Sequence, residues 1–319
     1  MQEQLINHLT DDSDNFYFMI NPYFPTPGMM DQIRSNLDHL IRYYPSGQQA
    51  IVKKMRQIEG IKRPMIAANG SCEAIRIMLR RYRGKTLVLV PNFNEWEISE
   101  HVSIDYNAST QRIAQAIETH KIDLVCICNP NNPTGFYRRD IQELADAFPK
   151  VRFAVDISFI DFVDETIPER PKGKNVILVK SLGKNYGICG IRLGYIASED
   201  HAFLDTLYPE FPIWNINSIT EYLLDLIAEN KDAYEQSRIK IIQGTRKMRD
   251  LLEEFPFIEV FPGHANFIMI RTRSQLGFNL KSCANKTGLD NTYYRIAYNK
   301  NYDILRKLLS PGSQGGTND

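Results

Sequence analysis

Three short apolar runs each end on a side chain able to react with or bind an organic ligand. The run DLVCIC at 123–128 leads into Asn129-Pro130-Asn131-Asn132-Pro133-Thr134-Gly135, VRFAV at 151–155 stops on Asp156, and NVILVK at 175–180 leads into Ser181-Leu182-Gly183-Lys184. In an open α/β sheet, ligands bind outside the carboxyl ends of the strands. An amide, a carboxylate and an amine are therefore expected along one edge. An amine attacks an aldehyde carbon, a carboxylate keeps a ring nitrogen protonated, and an amide donates to a phenolic oxygen. A lone lysine after a strand is ordinarily just solvated; three such strand ends together argue for a site.

The elements that must position these groups follow from periodicity. Between about 65 and 200, β-branched runs, TLVLV at 86–90 among them, alternate with stretches of helical spacing at 71–82, 109–120 and 138–148. That alternation predicts a mostly parallel sheet with helical crossovers. From about 219 to 255 the pattern is helix-like throughout, and FIEV, NFIMIRT and YRIAY then predict short strands of a smaller α+β unit. The final SPGSQGGTND is too polar and Gly-rich to order itself.

Composition excludes several function classes. The 319 residues carry 38 basic and 38 acidic side chains, so no long-range field draws the chain to nucleic acid or an anionic membrane. A hydrophobic content of 43% supports a core, and no apolar run is long enough to span a bilayer. The acidic start lacks the pattern of a secretion signal, so a cytoplasmic protein is expected. Cys72, Cys126, Cys128, Cys189 and Cys283 are odd in number and show no paired spacing, which argues against a disulfide framework or a bound metal. Gly187, Gly190 and Gly194 have the wrong spacing for a dinucleotide fingerprint.

The run Ser181-x-x-Lys184-x-x-Gly187-x-x-Gly190-x-Arg192-x-Gly194-Tyr195, together with Asn129 to Gly135, resembles the class I/II aminotransferase superfamily of fold-type I pyridoxal 5′-phosphate (PLP) enzymes. The resemblance implies a large PLP-binding domain at 41–215 and an interdomain helix with a small domain at 216–309. It also implies an N-terminal segment at 1–40 that joins the small domain and covers the substrate, and a tail at 310–319. It casts Lys184 as the Schiff-base lysine and proton shuttle, Asp156 as partner of the ring nitrogen, and Asn132 as donor to the phenolic oxygen. Removing Asp156 should then be nearly as damaging as removing Lys184. Arg192 and Ser181 would hold the cofactor phosphate, helped by the turn Asn69-Gly70-Ser71-Cys72, where Ser71 and Cys72 open a helix. Phe93 would stack on the ring, Arg295 would grip the substrate carboxylate, and Asn21 would lie in the substrate cover. Tyr44 would reach the phosphate of a neighbouring subunit, which implies a homodimer.

Within the superfamily, Phe159 occupies a place where aminotransferases usually carry a tyrosine, and threonine-phosphate decarboxylases typically carry phenylalanine. Ser282 to Leu289, leading to Arg295, resembles that decarboxylase branch, a relative of histidinol-phosphate aminotransferases, and the stretch between Phe267 and Arg295 is shorter than usual. Ile157-Ser158 after Asp156 and Tyr298-Asn299-Lys300 after Arg295 depart from the family pattern. The resemblance thus implies decarboxylation of a small O-phosphorylated amino acid, serine or threonine phosphate, to an amino-alcohol phosphate. The alternative is amino transfer from such a substrate to a 2-oxo acid.

Overall fold

The computed structural model describes residues 15–310. The tail expected to be unordered lies outside these residues from 311 on, as does the acidic start to residue 14. A seven-stranded sheet runs in the order Met65–Ala68, Gly194–Ser198, Val176–Ser181, Arg152–Asp156, Leu124–Cys128, Thr86–Val90, Val102–Asp105. Strand Gly194–Ser198 runs antiparallel to both of its neighbours, and the remaining pairings are parallel. The three strands that carry the chemistry are therefore adjacent and point the same way. Asp156 stands opposite Cys128 on one side and Val179 on the other.

Continuous burial explains the apolar runs, because both faces of this sheet are covered. Leu87, Val125, Phe153 and Leu178 face a core completed by Met29, Ile51, Ile113 and Leu223. Val88, Cys126, Ala154 and Ile177 face the other core, against Ile75, Met78 and Leu204. Each buried Val, Leu, Ile, Phe or Met among them contributes about 1.5–3 kcal/mol. The helix Ser71–Arg81 starts on Gly70 at φ 78°, and no side chain caps its first turn. Its leading N–H groups are thus left to a ligand.

The stretch expected to be helical from 219 to 255 is two helices, Ser218–Glu229 and Lys231–Glu253. Asn230 breaks it. At φ −116° and ψ 34°, Asn230 sends its amide to the Leu226 carbonyl and ends the first helix. Leu223, Leu224 and Leu226 of that helix belong to the core of the large sheet, whereas Ile241 and Met248 of the second pack with the small sheet.

The small sheet is ordered Asn15–Phe16, Asn279–Ser282, Tyr293–Ala297, Phe267–Arg271, Glu259–Val260. Phe159 and Phe162, which follow the large-sheet strand ending at Asp156, are buried in the core of this second unit with Phe16, Phe267 and Ile296. That insertion brings the small sheet against the carboxyl edge of the large one. Among the described residues no helix is long and apolar enough to cross a membrane.

Candidate active site

A cavity of about 340 Å³ opens at this junction, and Lys184, Asp156, Asn132, Phe93, Ser71 and Arg295 all line it. Asp156 is 2% exposed and forms part of its wall. One carboxylate oxygen accepts from the Ser158 N–H at 2.9 Å and the other from the Trp96 indole at 3.4 Å. Both partners are neutral, so the carboxylate retains capacity for a cationic N–H donor.

Lys184 Nζ lies 5.3 Å from the centroid of the Phe159 ring, which packs edge-on against Phe267 at 5.0 Å. Phe159 is 1% exposed and carries no hydroxyl, so the wall beside the amine is apolar. Cys128 also lines the cavity, with its thiol directed to the Pro130 carbonyl at 3.4 Å. Burial pushes that thiol well above its ordinary value, as expected of a small hydrophobe and not a nucleophile.

Arg295 reaches across from the strand Tyr293–Ala297. Its Nη1 donates to Asn132 Oδ1 at 2.8 Å and its Nη2 to the Tyr17 carbonyl at 3.1 Å. The Nε is buried and has no partner. Desolvation pushes the guanidinium down to about 10, so an incoming carboxylate would restore what burial removed. Because Asn132 spends its oxygen on Arg295, its NH2 is the group left to donate to a ligand.

Beside the cavity, Arg192 adopts φ 58°, a left-handed conformation that costs a non-glycine residue about 1–3 kcal/mol. A Cβ added to Gly70 would meet Arg192 Nη2 at 2.6 Å, so the glycine leaves the cradle in which this guanidinium sits against the helix start. Gly194 allows the same crowding: a Cβ there would stand 2.8 Å from the Ser71 nitrogen. Ser181 pairs with Gly194 in the sheet, which brings Ser181 near Arg192 and the uncapped N–H groups at Ser71 and Cys72. The side chains of Ser181, Cys72 and Arg192 flank the cavity without forming its wall.

Two expected residues stand apart. The Asn21 amide donates to the Asn185 carbonyl and to Ser237 Oγ, both at 2.8 Å, and its backbone N–H donates to the Lys184 carbonyl at 3.0 Å. Asn21 therefore fastens the N-terminal segment to the Lys184 loop, with no side-chain atom on the cavity wall. Tyr44 is 78% exposed and stacks on Trp214 at 4.3 Å, outside the cavity of its own chain.

The cavity also holds residues that spacing did not single out, above all Lys281 and Lys286, together with Tyr17 and Asn94. Lys286 lies within the Ser282 to Leu289 segment already noted, but nothing in its spacing marks it as facing a ligand. The register that sets Lys281 opposite Arg295 is a non-local pairing.

These residues fit PLP, the cofactor of the resembled superfamily. Arg192 beside the uncapped helix start would hold its phosphate, Asp156 would face the ring nitrogen, Asn132 would donate to the phenolic oxygen and Lys184 would meet the aldehyde, while Arg295 Nε is still unpartnered.

Comparison with known proteins agrees with this geometry. The chain is 35% identical over 270 residues to the CMP-5′-(3-aminopropyl)phosphonate synthase of Streptomyces rubellomurinus, covering 79% of this chain but only 43% of that protein. It is 28% identical over 298 residues to the L-serine phosphate decarboxylase of Sulfurospirillum multivorans, covering 81% of this chain and 76% of that one. The solved structure of a decarboxylase from Sulfurospirillum multivorans matches with a TM-score of 0.82 at 27% identity, over 92% of this chain and 86% of that chain. Threonine-phosphate decarboxylase and histidinol-phosphate aminotransferases are further relatives, at 22% to 27% identity. The family described as aminotransferase class I and II matches residues 48–292, and the chain belongs to it.

Proposed function

We propose that this protein is a PLP-dependent decarboxylase of a small O-phosphorylated amino acid. The observation that carries the reaction type is Phe159, which presents an apolar ring to Lys184 where a tyrosine hydroxyl would serve amino transfer. Loss of CO2 discharges a carboxylate into a neutral product, and an apolar wall beside the amine favours that change. The names of the serine- and threonine-phosphate decarboxylase relatives support the same reading.

When bound, PLP supplies an electron sink for the pair left at the substrate α-carbon. Lys184 supplies the amine that attaches the cofactor and returns a proton to that carbon. Asp156 holds the proton on the ring nitrogen, and Asn132 donates to the phenolic oxygen. Arg192, Ser181 and the first turn at Ser71 and Cys72 hold the cofactor phosphate, while Phe93 covers the ring. Arg295 binds the substrate α-carboxylate with the donors that Asn132 and Tyr17 leave available.

The protein acts as a homodimer in this reading. Tyr44 and Trp214 form part of an exposed apolar surface with Ile41, Tyr43 and Ile213, which a second copy would cover. Five unpaired cysteines among the described residues suit the cytoplasm.

Incubation with O-phospho-L-serine or O-phospho-L-threonine tests the reaction. CO2 release without added 2-oxo acid is expected. Loss of the amino group only when a 2-oxo acid is present would assign the chain to amino transfer instead, and absence of CO2 from both substrates would sink the proposal.

A further inference from the structure

A separate cavity, of about 210 Å³, shares no lining residue with the active site. Its wall carries Arg139, Asp164, Thr245, Arg246, Arg249 and His264. Both units of the fold contribute to it. Arg139 follows the turn that bears Asn132, and Asp164 follows the strand ending at Asp156, whereas the other four come from the helix Lys231–Glu253 and from the segment entering the strand Phe267–Arg271. Thr245, Arg246 and Arg249 recur with Ile242 at helical spacing, so they share one face of that helix.

Backbone contacts hold the walls in place. The Arg238 guanidinium donates to the Asp161 carbonyl at 2.9 Å, to the Asp164 carbonyl at 2.6 Å and to the Glu165 carbonyl, which fastens the segment bearing Asp164 to the helix. The His264 N–H donates to the Gly135 carbonyl at 2.6 Å, and Arg249 Nη2 donates to the Gly263 carbonyl at 2.6 Å. A Cβ added to Gly135 would stand 3.2 Å from the Gly263 Cα, so glycine at both positions lets the two backbones meet.

The charges on these walls are unbalanced. Among the described residues Arg139 and Arg249 have no carboxylate within ion-pair distance, whereas Arg246 has Asp164 at 3.4 Å. Thr245 Oγ1, Arg249 Nε and His264 Nδ1 are buried with no partner, and Thr245 is only 5% exposed. Buried polar groups are normally paired, so three orphans around one cavity call for a polar occupant. Desolvation first, and then Arg249 and Arg139, push the His264 imidazole below its ordinary value, which marks the surroundings as positive. Three guanidinium groups against one carboxylate leave a surplus of two positive charges, the complement of a dianion. Guanidinium forks suit the oxygens of a phosphate group, and the space far exceeds what a single water needs.

We propose that this cavity is a binding site for a phosphate group, held by Arg139, Arg246 and Arg249 with the Thr245 hydroxyl as a further donor. Its occupant ties the long helix of the small unit to the large one. The site stands apart from the cofactor and the amino acid substrate, and it does not depend on which reaction the protein performs.

Calorimetric titration of the PLP-loaded full chain with inorganic phosphate, in chloride buffer, measures the site. Arg139→Met and Arg246→Met, both on exposed side chains, should each weaken binding at least about tenfold, the worth of a hydrogen bond to a charged group. Asp164→Asn removes the one carboxylate and should tighten binding, a gain that a misfolded variant would not show. Lys281→Met, altered on the wall of the active-site cavity, should leave the affinity as it was. Glycerol 3-phosphate distinguishes the source of the phosphate group: binding as tight as the free ion and lost in the same arginine variants assigns the site to a phosphorylated metabolite, and weaker binding assigns it to inorganic phosphate. Absence of phosphate binding, an unaltered affinity in both arginine variants, or a loss confined to Lys281→Met would overturn the proposal, as would acetate that binds as tightly as phosphate.

Discussion

Arg295 Nη1 donates to Asn132 Oδ1 at 2.8 Å, a bond that joins the small sheet to the turn after the large-sheet strand Leu124–Cys128. One amide thereby orients the proposed carboxylate-binding group and the donor to the cofactor. Asn132→Ala should raise KM for the amino acid substrate about 10- to 100-fold, the cost of a hydrogen bond to a charged group. It should also weaken cofactor retention, read as loss of visible absorbance on dialysis. An unchanged KM with unchanged retention would show that the bond is incidental.

Phe159→Tyr tests the apolar wall beside Lys184. The ring is buried between Lys184 and Phe267, so a hydroxyl added there has the cavity as its outlet. CO2 release should fall and amino transfer to a 2-oxo acid should rise, measured as the ratio of the two rates. A ratio that stays fixed while thermal unfolding is unaltered would remove Phe159 from the account of reaction type.

Beneath the Lys184 loop lies a buried ionic cluster that the chemistry does not touch. Lys180 is fully buried and pairs with Glu59 at 2.8 Å and Asp161 at 2.7 Å, while the Tyr195 hydroxyl donates to the same glutamate at 3.0 Å. Lys180→Met leaves Asp161 buried without its ion-pair partner and Glu59 with Arg170 alone, at 3.4 Å. It should cost about 3–5 kcal/mol in urea unfolding, the usual penalty for breaking a buried pair. A loss below about 1 kcal/mol would mean that water reaches the cluster.

Much of this arrangement was legible in the sequence. Thr86–Val90 is the expected strand to the residue, and Lys184, Asp156 and Asn132 meet at one edge because parallel strands share a direction. The family resemblance pointed to Arg192, whose guanidinium the structure sets against Gly70 at the start of the helix Ser71–Arg81. What failed to show was non-local. Met65–Ala68 and Gly194–Ser198 carry Ala and Gly where the other strands carry β-branched residues, and they pair with each other across a long stretch of sequence. Lys281 and Lys286 look like solvated lysines until strand pairing and the docking of residues 285–287 turn them inward. Asn21 reads as part of a cover for the substrate, yet its side chain is committed to Asn185 and Ser237.

The assignment of the whole cavity depends on Lys184 carrying the cofactor. Borohydride reduction of the PLP-loaded protein, followed by peptide mass analysis, measures that directly. The account predicts a reduced phosphopyridoxyl group on the peptide containing Lys184, with the visible absorbance bleached in proportion. A label on another lysine, Lys281 or Lys286 included, or a protein that takes up no PLP, would contradict it.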